Sequence, residues 1–349
     1  MLQTPTPEHR TRVPGNAAPL LQVRNLVVEF ASVEGTQRAV DQVSFDVFPG
    51  RTMCIVGESG CGKSVTARAI MRIEDKQCSK LDGNILLHGE KQTLDLARYR
   101  IGSRALREVR GRRIGIVFQE PNTSFSPVHT IGNQLVEAIR VHRPMSKEEA
   151  SRAAVDQLES VGVPDPTHVM AQYSWQLSGG LRQRAMIAMA LVCDPAILIA
   201  DEPTTALDVT TQAQILNLLR ALQEEREMAV ILITHDLGVV AQTADEVLVM
   251  YLGQAIEQGE VRDVIGDPKH PYTQLLLRSM PSVTSDSHAP LQVIDGAVPH
   301  SSHGIPGCLF HPRCPSAMAG VCNTTVPVQH VSERRHSVSC HLYTDNMGT

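Results

Sequence analysis

The apolar positions of this chain change period several times, and each change predicts an element. Residues 20–30 are dense in Val, Leu and Phe, and 39–48 carry Val40, Val43, Phe45 and Val47; both read as strands, the second turned by Pro49-Gly50. Thr52–Val56 is a short apolar strand, and 65–71 has helix-forming residues. A strand is predicted over 84–88, between Asp82-Gly83 and Gly89, and another over 114–118. Between them, 91–113 is polar and Arg-rich, as a solvated helix and loop would be. From 131 to about 170 the spacing becomes helical, through Ile131, Leu135, Ala138 and Ile139, then Ala150, Ala153, Ala154 and Leu158. A helical block inserted between strands predicts a second lobe. The fully apolar 196–200 and 229–233 are strands separated by a helix over 210–226. Beyond Gly259 the strands thin out. The run 268–272 breaks the pattern, a short helix follows to about 280, and the Ser-, Pro- and His-rich 281–306 reads as a linker or loose extension.

One stretch carries chemistry outright. Gly57-Glu58-Ser59-Gly60-Cys61-Gly62-Lys63-Ser64 reads G-x-x-x-x-G-K-S between a strand and a helix, the context of a phosphate-binding loop. Its glycines let backbone N–H groups approach phosphate oxygens, and the following helix adds its positive end. Lys63 can reach the β- and γ-phosphates, and the Ser64 hydroxyl can ligate Mg²⁺. Asp201-Glu202-Pro203 and Thr234-His235-Asp236 each end an apolar strand, where ligands gather in open α/β sheets. Asp201 is therefore a candidate for Mg²⁺. The two strands before the loop suggest an antiparallel subdomain over the nucleotide, in which Phe30 either stacks on adenine or is a core residue.

Composition narrows the class. The chain has 349 residues, 42% hydrophobic and 20% charged, which is globular, and only 3% aromatic, so aliphatic side chains build most of the core. A formal net charge of -5 argues against nucleic acid as the main partner. No apolar run nears the roughly 18 residues of a membrane span; the longest relevant one, 185–193, has nine. Residues 1–19 lack an apolar signal core and read as a disordered lead-in. The expectation is a cytosolic protein, whose eight cysteines are thiols or metal ligands rather than disulfides.

The order of pieces resembles a known family. GESGCGKS, Gln119, LSGGLRQR (177–184), ILIADEP (197–203), Ala206-Leu207-Asp208 and Thr234-His235-Asp236 look like the ATP-binding subunit of an ABC transporter, over roughly residues 20–345. The LSGG motif discriminates, because other phosphate-loop ATPases lack it. FQEPNTSFSP (118–127), ADEPTTALDVTTQAQIL (200–216), HPYTQLL (270–276) and the cysteine tail with Phe310-His311-Pro312-Arg313-Cys314 are similar to the oligopeptide/dipeptide permease branch. Departures are Cys61 and Leu181, where relatives usually have Ser and Met, and Phe125-Ser126, where they have Leu-Asn. The resemblance implies an α/β fold with a RecA-like core, an antiparallel β subdomain and a helical subdomain (about 131–185) within an ATPase domain over 20–265. A cysteine-containing extension over 266–349 would follow.

The resemblance also implies roles. Gly57, Glu58, Ser59, Gly60, Cys61, Gly62, Lys63 and Ser64 would cradle phosphates. Gln119 would touch Mg²⁺ or the attacking water and report nucleotide state. Asp201 would hold Mg²⁺ through water, Glu202 would orient or deprotonate the attacking water, His235 would hold the γ-phosphate, and Asp208 would line the interface. Ser178, Gly179 and Gly180 would complete the site of a second ATPase subunit, a related but distinct one, with two ATP molecules sandwiched head to tail. Two integral membrane subunits would dock near residues 119–127 on the cytoplasmic face of the membrane, served by a solute-binding protein. Three other readings fit less well. A soluble ABC ATPase acting on nucleic acid or ribosomes usually has tandem ATPase units or basic surfaces. An exporter generally fuses its ATPase to membrane spans. The full motif set argues against a metal protein with incidental ATPase activity.

The last cysteines, Cys308, Cys314, Cys322 and Cys340, are spaced C-x5-C-x7-C-x17-C. The tail has few large apolar residues, so something else must hold it together. No gap is as short as structural zinc usually uses, and the spacing is not a common ferredoxin run. The resemblance puts an iron–sulfur cluster, of the [4Fe–4S] type, ahead of zinc and of free thiols.

Overall fold

The computed structural model describes residues 18–32, 35–74, 78–90, 92–120, 124–205, 207–279, 294, 296, 297, 299, 304–332 and 335–346. Most of the lead-in, Pro121 to Thr123, Ala206 and most of the linker lie outside the described residues.

Two sheets organise the chain. The first contains β1 (Leu21–Ser32), β2 (Gly35–Val47), β4 (Cys78–His88) and β5 (Thr93–Asp95), all antiparallel, in the order β2-β1-β4-β5. The second is built on β3 (Thr52–Val56), β6 (Ile114–Val117), β7 (Ile197–Asp201), β8 (Ala229–Thr234) and β9 (Glu246–Tyr251), all parallel. Their order is β9-β3-β8-β7-β6. β3, β7 and β8 are buried at every position, which explains their continuous apolar sequences. Alternate residues serve opposite faces: Met53, Ile55 and Ile199 join the core beneath the antiparallel sheet, whereas Cys54, Val56 and Leu198 pack toward the helical block.

The helical block contains Ile131–His142, Lys147–Ser160, Pro166–Ala171 and Gly179–Leu191. Its starts are well specified: Thr130 caps the first helix, and Ser146 with Glu149 forms a capping box on the second.

Some elements lie where the apolar pattern yields none. β5 interrupts the polar 91–113 region, and β9 is followed by β10 (Gln254–Glu260), which pairs antiparallel with it. The chain beyond residue 300 also extends this sheet: β12 (Ser337–Ser339) pairs with β10, and β11 (Gln329–Val331) with β12. What secures the tail is thus partly strand addition and partly Phe310. Phe310 is 1% exposed and packs edge-on against Tyr251 and Tyr272, with ring centres 5.2 and 5.3 Å away.

Candidate nucleotide-binding site

The motif residues converge because the parallel strands end together. The phosphate loop follows β3, Gln119 lies just past β6, Asp201 and Glu202 end β7, and His235 follows β8. All stand at the C-terminal edge of the sheet, where an open α/β sheet receives ligands.

The loop is closely fitted. A Cβ on Gly57 would sit 2.2 Å from the Met250 carbonyl oxygen, and one on Gly62 would sit 2.3 Å from that of Ala39. Gly62, at φ 101°, precedes the helix Lys63–Met71 and gives it no side-chain cap, and no acidic residue stands in its first turn. That helix start suits phosphate oxygens, with Ser59 and Gly60 exposed above it. Lys63 is 5% exposed, and its Nζ donates to the carbonyls of Gly57 (2.8 Å) and Glu58 (3.0 Å). Cys61 is buried beneath it; burial pushes its thiol up, and the Lys63 charge opposes this.

Two carboxylates face the loop. Asp201 Oδ1 accepts from the Ser64 hydroxyl at 2.9 Å. Burial raises the Asp201 pKa, partly offset by that hydrogen bond. A buried carboxylate beside a hydroxyl is a hard oxygen donor pair of the kind Mg²⁺ takes, so the residues fit that ion. Glu202 Oε2 accepts from Gln119 Nε2 (2.9 Å) and Thr205 Oγ1 (2.8 Å), and its Oε1 lies 3.4 Å from His235 Nδ1. Its backbone is in the left-handed region, at φ 46°, with its N–H bonded to the Ile233 carbonyl. A non-glycine residue held there by its neighbours aims its side chain from a fixed backbone.

Other predicted residues stand apart. Ser178 caps the helix Gly179–Leu191; it and Gly179 are exposed and Gly180 is half-buried. The nearest side-chain atoms to Cβ positions on Gly179 and Gly180 belong to Leu207 and Thr211, so this turn neighbours Asp208. Asp208 caps the helix Val209–Arg226 through the N–H groups of Thr210 and Thr211. Phe30, on β1, is half-buried against the core of the antiparallel sheet.

The four tail cysteines line one pocket with His270, Phe310 and His341. Burial raises the pKa of Cys308 and Cys314 and pushes Cys340 up to about 11. None of the eight cysteines is in a disulfide. Among the described residues, no three or more His, Cys, Asp or Glu side chains gather closely enough to hold a metal ion as they stand. The four thiols thus share a pocket but, as they stand, form no metal-binding group.

The sequence reading missed Thr205, Tyr251, Tyr272 and Arg313. Arg313 forms a two-pronged ion pair with Glu58, at 2.8 and 3.1 Å. In the sequence it stands within the Phe310-His311-Pro312-Arg313-Cys314 segment, where nothing marks it as a partner of Glu58.

A family model described as ABC transporter matches residues 40–205, and one described as oligopeptide/dipeptide transporter, C-terminal region, matches 256–322. The dipeptide transport ATP-binding protein DppD of Bacillus subtilis is 48% identical over 324 residues, covering 93% of this chain and 94% of its own length. The chain belongs to the ATP-binding proteins of ABC transporters. A probable peptide ABC transporter ATP-binding protein of Sinorhizobium fredii is 46% identical over 321 residues, covering 92% of this ABC protein and 94% of its own length. The dimeric structure of a bacterial ABC transporter cassette matches with a TM-score of 0.60 at 28% identity, over 69% of this ABC protein and 99% of that chain. A post-hydrolysis cassette dimer bound to ADP and Pi matches at 27% identity and the same TM-score, again over 69% and 99%. This ABC protein is accordingly an ATPase. No helix among its described residues is long and apolar enough to cross a membrane.

Proposed function

We propose that this ATPase energises import of peptides or similar small solutes, working at the cytoplasmic face of the membrane. It would pair with a second ATPase subunit and dock on two membrane subunits near residues 119–127, with a solute-binding protein delivering the cargo. The peptide assignment is supported by the match to the oligopeptide/dipeptide C-terminal region and by the names of the relatives.

The observation that carries the catalytic reading is the convergence of Lys63, the Ser64–Asp201 pair and the Glu202–Gln119–His235 cluster at one sheet edge. Lys63 offers its charge to the terminal phosphates, and the helix start behind it offers N–H groups. Ser64 and Asp201 would hold Mg²⁺, with Gln119 beside them; the ion supplies charge neutralisation on the phosphate oxygens. Glu202, anchored by Gln119 and Thr205, orients the attacking water and accepts its proton. His235 stands beside it to hold the γ-phosphate. The exposure of Ser178 and Gly179, with Gly180 half-buried beside them, supports their completing a site on another chain, and Asp208 would line the same interface. Loss of the γ-phosphate after hydrolysis removes contacts that favour the closed pair.

Glu202→Gln tests this reading. It keeps the side chain's shape while removing its charge, so ATP should bind as in the wild type and turnover should fall by about 10²–10³-fold. Wild-type turnover in that variant would exclude Glu202 as the key carboxylate.

The pocket shared by Cys308, Cys314, Cys322 and Cys340 supports a structural iron–sulfur cluster in the tail, for which loading would have to draw the thiols together. Anaerobic purification should then yield a brown protein with about four irons per chain. A colourless, iron-free and folded preparation would refute the cluster, and stoichiometric zinc would replace it.

A further inference from the structure

Glu58 is the second residue of the phosphate loop, and each of its polar groups has a partner. Its N–H donates to the Tyr272 hydroxyl at 2.9 Å. Its carbonyl accepts from Lys63 Nζ (3.0 Å) and from the Cys61 N–H (3.3 Å). Its carboxylate takes both prongs of the Arg313 guanidinium, Nη1 at 2.8 Å and Nη2 at 3.1 Å. Two of these partners, Tyr272 and Arg313, come from the chain beyond β10, and the Glu58–Arg313 pair spans 255 positions of sequence. The Arg313 side chain is 5% exposed and that of Glu58 23%. Arg313 also reaches the Tyr251 hydroxyl at 3.4 Å and the Ile294 carbonyl at 3.4 Å. Tyr251 and Tyr272 are fully buried and lie with Phe310 in one aromatic cluster, which leaves the guanidinium little freedom.

This arrangement addresses an electrostatic problem. A carboxylate in the loop that receives a nucleoside triphosphate repels the ligand, and partial burial keeps water from screening it. A forked guanidinium matches the carboxylate geometrically and cancels its charge. Removing only the cation would leave an uncompensated, part-buried negative charge beside the phosphates. Removing both charges would not.

We propose that Arg313 is a positioning residue of the nucleotide site. It neutralises Glu58 and holds the phosphate loop in its binding shape, which makes the C-terminal extension part of the ATP site. The proposal rests on the reading of residues 57–64 as the phosphate cradle.

The test measures equilibrium binding of a fluorescent ATP analogue with Mg²⁺ to the full chain, alongside its thermal unfolding midpoint without nucleotide. Arg313→Met should raise the dissociation constant by about tenfold or more. Adding Glu58→Gln to Arg313→Met should bring it back to within about threefold of wild type. A role confined to holding the tail in place predicts a lowered unfolding midpoint and no recovery in the double variant. Unchanged affinity in Arg313→Met, or no recovery on adding Glu58→Gln, would overturn the proposal. Lys63→Ala separates this outcome from failure of the underlying reading. If Lys63→Ala binds the analogue as wild type does, the cradle assignment itself is wrong; if it loses binding while Arg313→Met retains it, only the role of Arg313 fails.

Discussion

Two helices in this protein start at glycines, and the two starts are built in opposite ways. Gly62, before Lys63–Met71, is buried, in the left-handed region and pressed against the Ala39 carbonyl, and no side chain caps the helix behind it. Gly179, the first residue of Gly179–Leu191, is exposed and capped by Ser178, and among the described residues a Cβ there would meet only Leu207, at an ordinary 3.6 Å. At the first start the fold itself demands glycine. At the second no described residue does, and under the proposed function the demand would come from a partner's ATP. The difference separates a glycine that the fold itself fixes from one that lies exposed at the surface.

The largest expected effect comes from breaking the first start. Gly62→Ala would place a methyl group 2.3 Å from a backbone oxygen in a left-handed conformation. A loss of about 2–4 kcal/mol of stability is expected, together with loss of ATP binding. Chemical denaturation and nucleotide titration of the variant check both, and wild-type values in either would show that the loop can refit around a Cβ.

Gly179→Asp is the opposite case. The side chain has room, and an acid in the first turn of a helix is favourable, so stability should hold or rise slightly. ATP binding to the subunit's own loop should be unchanged. Turnover by the assembled ATPase pair should still fall by about 100-fold, because a negative charge would face the partner's γ-phosphate. Undiminished turnover in the assembled transporter would remove Gly179 from the shared interface.

How much of this was legible in the sequence follows from the range of the interactions. The phosphate loop, the ends of β7 and β8 and the helical block could be read because each is set by neighbouring residues: a glycine spacing, an apolar run, a 3.6-residue period. Thr205 was missed although it stands three residues from Glu202, because a hydroxyl in a turn carries no distinctive pattern. Arg313 and Tyr272 were missed for another reason, since nothing local ties them to Glu58. β11 and β12 are three residues each, too short for any period to show. The Asp208–Ser178 neighbourhood is intermediate. The motifs named the residues, and only the fold set Leu207 and Thr211 against the glycines.

The smallest expected effect serves as a control at the other end of the sheet. Glu246 begins β9, pairing with Met53 at the edge away from the phosphate loop. Burial pushes its pKa up to about 7, with Arg51 3.9 Å away opposing the shift. The folded chain therefore keeps this proton at pH values where the unfolded chain releases it. Ionised Glu246 costs stability above pH 7, and the cost disappears as pH falls from about 7 toward the ordinary carboxylate value. Glu246→Gln should raise stability at pH 8 by up to about 2 kcal/mol, leave it unchanged near pH 4.5, and leave ATP affinity alone. Equal effects of the substitution at both pH values would show that the group does not titrate in this range.

The strand pairing of β12 with β10 bears on how the protein is made. On the ribosome, β9 and β10 emerge well before Arg313 and β12, so for an interval the core sheet has an open edge at β10 and a phosphate loop whose Glu58 lacks its guanidinium. An open edge of this kind invites pairing with other chains. The sheet edge and the Glu58 ion pair are completed only once the tail has emerged. A nascent chain stalled before residue 313 should be readily cleaved by protease and retained poorly on immobilised ATP, whereas one that has emerged past residue 340 should resist the protease and be retained.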